Sequence, residues 1–409
     1  MLAAEEAAVS AYGVSGDGRI LPQDFGNLGQ IEALNRLLEY VTRADASEIK
    51  FLSHHPVIAE IAGIQYPVTK AHLTTPLIRQ VVEAIYGSKA GSGAVTSGEP
   101  LDGAYSILTN NERLRFRFNA TACHAPGEQS LWLSLRTIPS SPRTLGELGI
   151  EPVIIDNLRP EKGIILVTGI TGSGKTTLLA AIVRYHLERE KGSRSETIVT
   201  YEKPIEFVYD TIKRDRAIVA QHELGRDLRL SNGRDAEFGT SLWAHAIGNA
   251  MRQKPTIIIL GEARDPDAYR ALATASATGH LCYSTAHTTD VATTVFRMIN
   301  ELPPSQQSAF AVGLVANLQM IVCQSLIAKK GGGRVAVREY LIFTPEIRSE
   351  LMSRPCDQWL NLLRNIMDRV TPDRGRKAIA HLREHYQAGL IEEEEMQRWE
   401  IQAKLGGIS

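Results

Sequence analysis

The stretch from Ile164 to Thr177 (Ile-Ile-Leu-Val-Thr-Gly-Ile-Thr-Gly-Ser-Gly-Lys-Thr-Thr) leaves the chain few folds to choose from. An apolar run, Ile164 to Val167, reads as a buried parallel strand that breaks at Gly169. An apolar helix then begins at Leu178-Leu179-Ala180-Ala181-Ile182. Between them, Gly169-x4-Gly174-Lys175-Thr176 has the spacing of a phosphate-binding loop, and strand, glycine loop, helix is the context that spacing requires. Glycines let backbone N–H groups turn inward around phosphates, and the helix N-terminus adds a partial positive charge. The nucleotide-binding candidates are Gly169, Thr171, Gly172, Ser173, Gly174, Lys175, Thr176 and Thr177. Lys175 is expected to reach the β- and γ-phosphates, and Thr176 to offer its hydroxyl to Mg2+. A chance glycine-rich turn is the competing reading, and it leaves the flanking strand and helix unexplained.

Downstream, strands and helices alternate, which predicts a mainly parallel sheet covered by helices. Strands are expected at Thr197–Tyr201, Ala217–Gln221, Thr256–Leu260 and Leu281–Ala286. Helices are expected from about Ser241 to Arg252 and from about Pro266 to Thr278, with a polar segment over Glu223–Gly239. After Ala292–Ile299 and Pro303-Pro304, a long helix over Ser305–Ile327 is expected, then a hairpin-like piece turning on Gly331-Gly332-Gly333. Phe310–Ala328 is apolar enough to raise a membrane span. It also carries Asn317, Gln319, Gln324 and Ser325, which are costly in hydrocarbon, so a buried amphipathic helix is the expectation. The acidic run Glu392–Glu395 reads as a solvated face.

Upstream, residues 1–30 read as a loose extension. Ile31, Leu34, Leu37, Leu38 and Val41 fall at helical spacing. Strand-like pieces follow at Val57–Ile64 and Tyr66–Thr69, a helix at about Pro76–Tyr86, and a flexible loop at Gly87–Gly93. Arg113 to Ala120 alternates strictly, which marks a two-faced strand bearing Arg113, Arg115 and Arg117 on one face. That face is either solvated or a site for anions. Pro139-Ser140-Ser141-Pro142 is turn-rich. The expected organisation is therefore an extension (1–30), an α+β domain (31–139), a linker (140–150) and an α/β core with C-terminal helices (151–409).

Composition narrows the class. A chain of 409 residues is long enough for about two or three domains. A formal net charge of -1 gives no basic domain of the sort that binds nucleic acid in bulk, so direct nucleic-acid binding is not expected. Cys123, Cys282, Cys323 and Cys356 lack metal spacing and read as reduced thiols. No basic flank precedes an apolar N-terminal run, so the expected location is cytoplasmic.

Three further stretches bear on chemistry. Ile257–Leu260 delivers Glu262 after a glycine, a Walker-B arrangement in which the acid can orient an attacking water, directly or through Mg2+. Glu202 and Glu206 follow the strand Thr197–Tyr201, and α/β sites form at the carboxyl ends of strands. His280 and His287 flank the strand Leu281–Ala286. Either imidazole is suited to sensing a γ-phosphate or bonding a catalytic carboxylate, and a satisfied structural role is the alternative for each.

Taken together, these motifs resemble the traffic ATPases of type II and type IV secretion and of type IV pili. The resemblance runs over about residues 31–400. It rests on Gly169–Thr176, on Thr200-Tyr201-Glu202-Lys203-Pro204-Ile205-Glu206 (an acidic box), on Gly261-Glu262-Ala263-Arg264-Asp265, and on Thr278-Gly279-His280 through His287-Thr288. Arg115-Phe116-Arg117-Phe118-Asn119, Leu135-Arg136-Thr137-Ile138-Pro139 and Leu302-Pro303-Pro304 add to it. The resemblance implies a PAS-like N-terminal domain, a RecA-like core, and a homohexamer that binds ATP and Mg2+. It implies Glu202 and Glu262 as catalytic carboxylates, with Arg115, Arg117 and Arg136 completing the site. His287 joins the catalytic candidates, and Thr176 and Glu262 are the metal candidates. Lys203 departs from the family, which usually has Asp there, and the polar Leu228–Phe238 segment leans towards the Dot/Icm and conjugative branch. The expected role is a cytoplasmic motor, peripheral to the inner membrane, that powers type IV secretion or conjugation with inner-membrane and cytoplasmic partners. The alternatives are pilus retraction, with identical catalytic residues, and a RecA-like DNA-acting protein.

Overall fold

A computed structural model describes residues 20–404 apart from 62, 110–111, 139–140, 189–194, 226 and 229–240. The expected extension up to residue 19, the first half of the Pro139–Pro142 turn and nearly all of the polar segment after Leu228 lie outside the described residues. Two units emerge, one running to Ser140 and including Glu206–Val208, the other comprising Ser141–Ile205 and Tyr209 onward.

In the first unit, α1 (Ile31–Arg43) buries Leu34, Leu37, Leu38 and Val41, the helical spacing of the sequence. Strands β1 (Glu48–Phe51), β2 (Ile58–Ile61) and β3 (Ile64–Pro67) form a meander. The helix α2 (Thr75–Tyr86) starts where the Thr74 hydroxyl accepts from the Leu77 N–H, and ends on left-handed Gly87. A second helix, α3 (Ala90–Thr96), occupies part of the expected Gly87–Gly93 loop. Gly91 is a packing requirement there, since a Cβ on it would sit 2.8 Å from the Tyr86 ring. Then β4 (Leu101–Thr109), β5 (Glu112–Ala125) and β6 (Glu128–Ile138) complete an antiparallel sheet of order β3-β2-β1-β6-β5-β4. One face of β5 sends Leu114, Phe116, Phe118 and Ala120 into the core.

The second unit begins with α4 (Pro152–Asp156), β7 (Gly163–Thr168) and α5 (Lys175–Leu187). Next come β8 (Glu196–Glu202), β9 (Ala217–Glu223), α6 (Leu242–Arg252) and β10 (Ile257–Leu260). The helix α7 (Pro266–Ala277), β11 (Leu281–Ala286) and α8 (Val291–Asn300) follow. Among the described residues the sheet has eight strands, in the order β14-β13-β12-β7-β11-β10-β8-β9, with β7 to β12 running parallel. The phosphate-loop strand β7 is buried on both faces. Ile164 and Leu166 pack into one hydrophobic layer, Ile165 and Val167 into the other. This is why its sequence is a continuous apolar run and does not alternate.

The C-terminal part corrects one expectation. The helix predicted over Ser305–Ile327 ends early: α9 (Pro304–Asn317) is followed directly by β12 (Leu318–Ala328), which pairs with β7 and with β13 (Arg334–Ile342). A strand buried on both faces is as uniformly apolar as a buried helix, so periodicity does not separate the two. The hairpin turns at Gly331–Gly333, all at positive φ, as expected. Then come α10 (Pro345–Met352), α11 (Trp359–Arg369), the short β14 (Gly375–Arg376), α12 (Ala378–Gln387) and α13 (Glu393–Lys404). Among the described residues, no helix is long and apolar enough to cross a membrane.

Candidate functional site

The loop between β7 and α5 lies at the carboxyl end of the parallel sheet, where such folds bind ligands. Its backbone demands glycine. Gly169, Gly172 and Gly174 all have positive φ, and a Cβ on Gly169 would sit 2.2 Å from the Gln324 carbonyl oxygen. Lys175 is 7% exposed, and its Nζ donates to the carbonyl oxygens of Gly169 (2.7 Å) and Ile170 (2.8 Å). Burial lowers its pKa, and the Glu262 carboxylate opposes that shift. The Ser173 hydroxyl is buried without a hydrogen-bond partner, a polar atom inside the loop for which a bound phosphate oxygen is a suitable partner. Thr171 and Gly172 are exposed at the tip, and Thr176 and Thr177 are half-buried in the first turn of α5.

Glu262 follows β10, beside the end of β11. The Thr285 hydroxyl donates to the Gly261 carbonyl at 2.7 Å, and the Ala263 N–H donates to the Thr285 carbonyl at 2.9 Å, which fixes the turn that carries the acid. The Glu262 carboxylate lies 3.0 Å from His287 Nε2 and 2.6 Å from Arg264 Nη2. Burial is the main cause of a lowered His287 pKa, with Lys175 adding to it and Glu262 opposing it. A neutral His287 protonated at Nε2 is therefore placed to donate to Glu262. A cavity of about 410 Å3 opens here, lined by Glu262, Arg264, His287 and Arg297 among others. Arg297 donates to the His287 carbonyl at 2.9 Å and to Glu301 at 2.6 Å. The sequence reading passed over Arg264 and Arg297. The signal for Arg264 was its place two residues after the acid, whereas Arg297, the one charged residue of α8, lies ten residues beyond His287 with no motif to tie it to the site.

Glu202 ends β8, which pairs in parallel with β10, so Tyr201 aligns with Leu260 and the two acids leave neighbouring strand ends. Its Oε1 accepts from the Thr200 hydroxyl (2.8 Å) and from Gln221 (3.2 Å). His280 does not join them. It precedes β11, whose six residues run parallel to β7, so it lies roughly 20 Å away at the amino ends of the strands. There its Nδ1 bonds the Ala275 carbonyl and caps α7, a structural role.

In the first unit, Arg115 is 6% exposed and donates to the carbonyl oxygen of Glu206. Arg117 lies 3.3 Å from the Glu206 carboxylate, and Arg136, paired with Arg117 across β5 and β6, lies 3.0 Å from Glu48. Arg113 and Arg117 are exposed, so the shared face is not uniform: Arg115 alone is enclosed.

A parallel sheet with a glycine-rich loop, a buried lysine and an acid at the next strand ends defines a P-loop nucleotide-binding core. Residues 29–381 match the type II/IV secretion system protein family, and the chain belongs to it. Among its relatives, the type IV pilus retraction ATPase PilT of Pseudomonas aeruginosa is 39% identical over 316 residues, 77% of this chain and 84% of that protein. The ATPase DotB of Legionella pneumophila superposes with a TM-score of 0.75 at 31% identity, covering 89% of this chain and 94% of that one. The pilus retraction motor PilT crystallised with ADP superposes at 0.71 with 28% identity, covering 88% and 96%.

Proposed function

We propose that the chain is a motor ATPase that hydrolyses ATP to ADP and phosphate. The observation that carries this is the Glu262 carboxylate, held by His287 and Arg264 at the strand ends next to a buried Lys175. Lys175 would neutralise the β- and γ-phosphates. Glu262 would take the proton of the attacking water as a general base, and Glu202 would assist from the adjacent strand. His287 would orient Glu262 and report the γ-phosphate to α8. The hydroxyl of Thr176 and the carboxylate of Glu262 are hard oxygen donors of the kind Mg2+ uses beside substrate phosphates. Bound there, Mg2+ would screen the phosphate charge. Arg115, Arg117 and Arg136 are proposed to stabilise charge on the γ-phosphate in the transition state.

The chain would act as a homohexamer whose first unit is PAS-like. It would be cytoplasmic, docked peripherally on inner-membrane components of a type IV secretion or conjugation machine of the Dot/Icm kind, without binding nucleic acid directly. The DotB superposition supports that machine. Pilus retraction is the second reading, favoured by the 39% identity to PilT.

The test measures nucleotide affinity and ATP turnover. Lys175→Ala should weaken binding and abolish turnover with the far-UV circular dichroism unchanged. Glu262→Gln should bind ATP and turn over at least about a hundredfold more slowly. Wild-type hydrolysis by Lys175→Ala would overturn the assignment. Twitching and substrate secretion, scored in a deletion strain of the source organism, separate the two machines.

A further inference from the structure

Gln324 interrupts an apolar strand, and it is only 5% exposed in β12. Its Nε2 donates to the Ser173 carbonyl oxygen in the phosphate loop at 2.7 Å. Its Oε1 accepts from Arg338 Nε on β13 at 2.9 Å. Arginine has no acceptor, and a carbonyl has no donor, so only one orientation of this amide satisfies both neighbours. We propose that Gln324 is a positioning residue for the nucleotide loop, an inference that rests on the ATPase reading above.

A trans peptide carries its C=O and N–H on opposite sides. By drawing the Ser173 carbonyl towards β12, Gln324 turns the Gly174 N–H the other way, away from the sheet hairpin, where an anion-binding loop needs its donors. The loop's composition agrees. A Cβ on Gly174 would approach Gln324 Nε2 to 2.9 Å, so that glycine makes room for the amide.

Arg338 holds the amide in its turn. It is 2% exposed, and the rest of its guanidinium is engaged: Nη1 with the Gly149 carbonyl (2.9 Å) and Glu151 (3.2 Å), Nη2 with the Leu148 carbonyl (2.8 Å). Glu151 supplies the countercharge and also accepts from Arg376. A continuous buried polar chain thus runs from the phosphate loop to the segment entering α4 and to β14. Breaking one link of such a network leaves the polar groups on either side of it unpaired.

Gln324→Glu separates the two contacts. A carboxylate keeps an acceptor for Arg338 but has no proton for the Ser173 carbonyl. The variant should lower the thermal midpoint modestly, because the Ser173 carbonyl loses its donor, and in addition the KM for ATP and the Kd for ADP should rise about tenfold or more, the scale of a buried hydrogen bond lost. The kcat should fall far less than KM rises. If Gln324→Glu fails to fold, Gln324→Asn, too short to reach both partners, carries the same test. A folded variant with wild-type ADP affinity and KM would overturn the proposal, and a purely structural residue would lower the midpoint without that split. ADP binding by the wild type is measured first. Its absence would sink the ATPase reading, whereas wild-type binding with an unaffected variant sinks only the role of Gln324.

Discussion

His381 shows how a buried network fixes the charge of one side chain. Its Nδ1 accepts the Arg338 backbone N–H at 3.0 Å. Burial, then Arg376, His385 and Arg338, hold its pKa down to about 2. Glu151 Oε1 lies 3.3 Å from the same nitrogen, and a nitrogen already accepting a proton does not donate one, so that contact is not an ion pair at neutral pH. An unfolded imidazole titrates near about 6.5. The stabilisation from keeping His381 neutral is therefore complete above that pH and is lost progressively as pH falls from there towards 2. His381→Gln keeps an acceptor but has no proton to gain. It should flatten the fall of the thermal midpoint between pH 7 and pH 5.5, and an unchanged slope would show that other groups drive it. Among the single residues, Lys175 and Glu262 were legible because their motifs fix their places on strand and helix ends. His280 was legible too, since it precedes the amino end of β11 while sites of a parallel sheet form at carboxyl ends, a rule that separates it from His287.

At the scale of elements, the reading succeeded where propensity and burial agree and failed where they do not. The amphipathic α1 and the alternating β5 each present one apolar face, so period and environment point the same way. The passage from α9 into β12 has no such signal, for both elements are apolar and no Gly or Pro marks the junction at Asn317-Leu318. Of the polar residues that argued against a membrane span, Asn317, Gln319 and Gln324 hold hydrogen bonds in the fold. Asn317 donates to the Gly313 carbonyl, and Gln319 donates to the Lys162 carbonyl and accepts from Arg348. The loop after β7 tolerates little change at its first glycine. Gly169→Ala would place a methyl 2.2 Å from the Gln324 carbonyl and 2.5 Å from the Ser173 hydroxyl, at a φ of 145°. Backbone displacement of the loop is the only relief, so this variant should lose nucleotide binding in equilibrium titration and unfold at lower temperature. Retention of both would mean that the loop adapts.

On the scale of the whole molecule, the first unit carries its arginines in unequal settings. Arg117 and Arg136 are exposed or nearly so, and Arg115 is enclosed against Glu206. Arg117→Ala and Arg136→Ala should therefore cut ATP turnover well beyond any loss of ADP affinity, with little change in thermal midpoint. Lysine should rescue them poorly, because it lacks the forked geometry that meets phosphate oxygens. Arg115→Ala should in addition lower the midpoint, because it removes a buried side chain and the donor of a part-buried carbonyl. Wild-type turnover in all three would leave Arg117 and Arg136 as solvated charges and Arg115 as a structural one. The inclusion of Glu206–Val208 in the first unit was beyond sequence reasoning: three residues leave the second unit's stretch of chain without any change in composition.

The position of β7 also sets the order in which this protein is completed on the ribosome. Both of its neighbours come later in the chain: β11 at Leu281–Ala286 and β12 at Leu318–Ala328. Thr168 and Cys323, joined by a 2.8 Å hydrogen bond, are 155 residues apart. At synthesis rates of about 5–20 residues per second, the nascent phosphate-loop strand waits roughly ten to thirty seconds with open edges before its sheet closes. During that interval an apolar strand with unpaired backbone is a template for wrong pairing. The exposure of this strand to mispairing thus falls in one identifiable stage, between the emergence of Thr168 and that of Ala328.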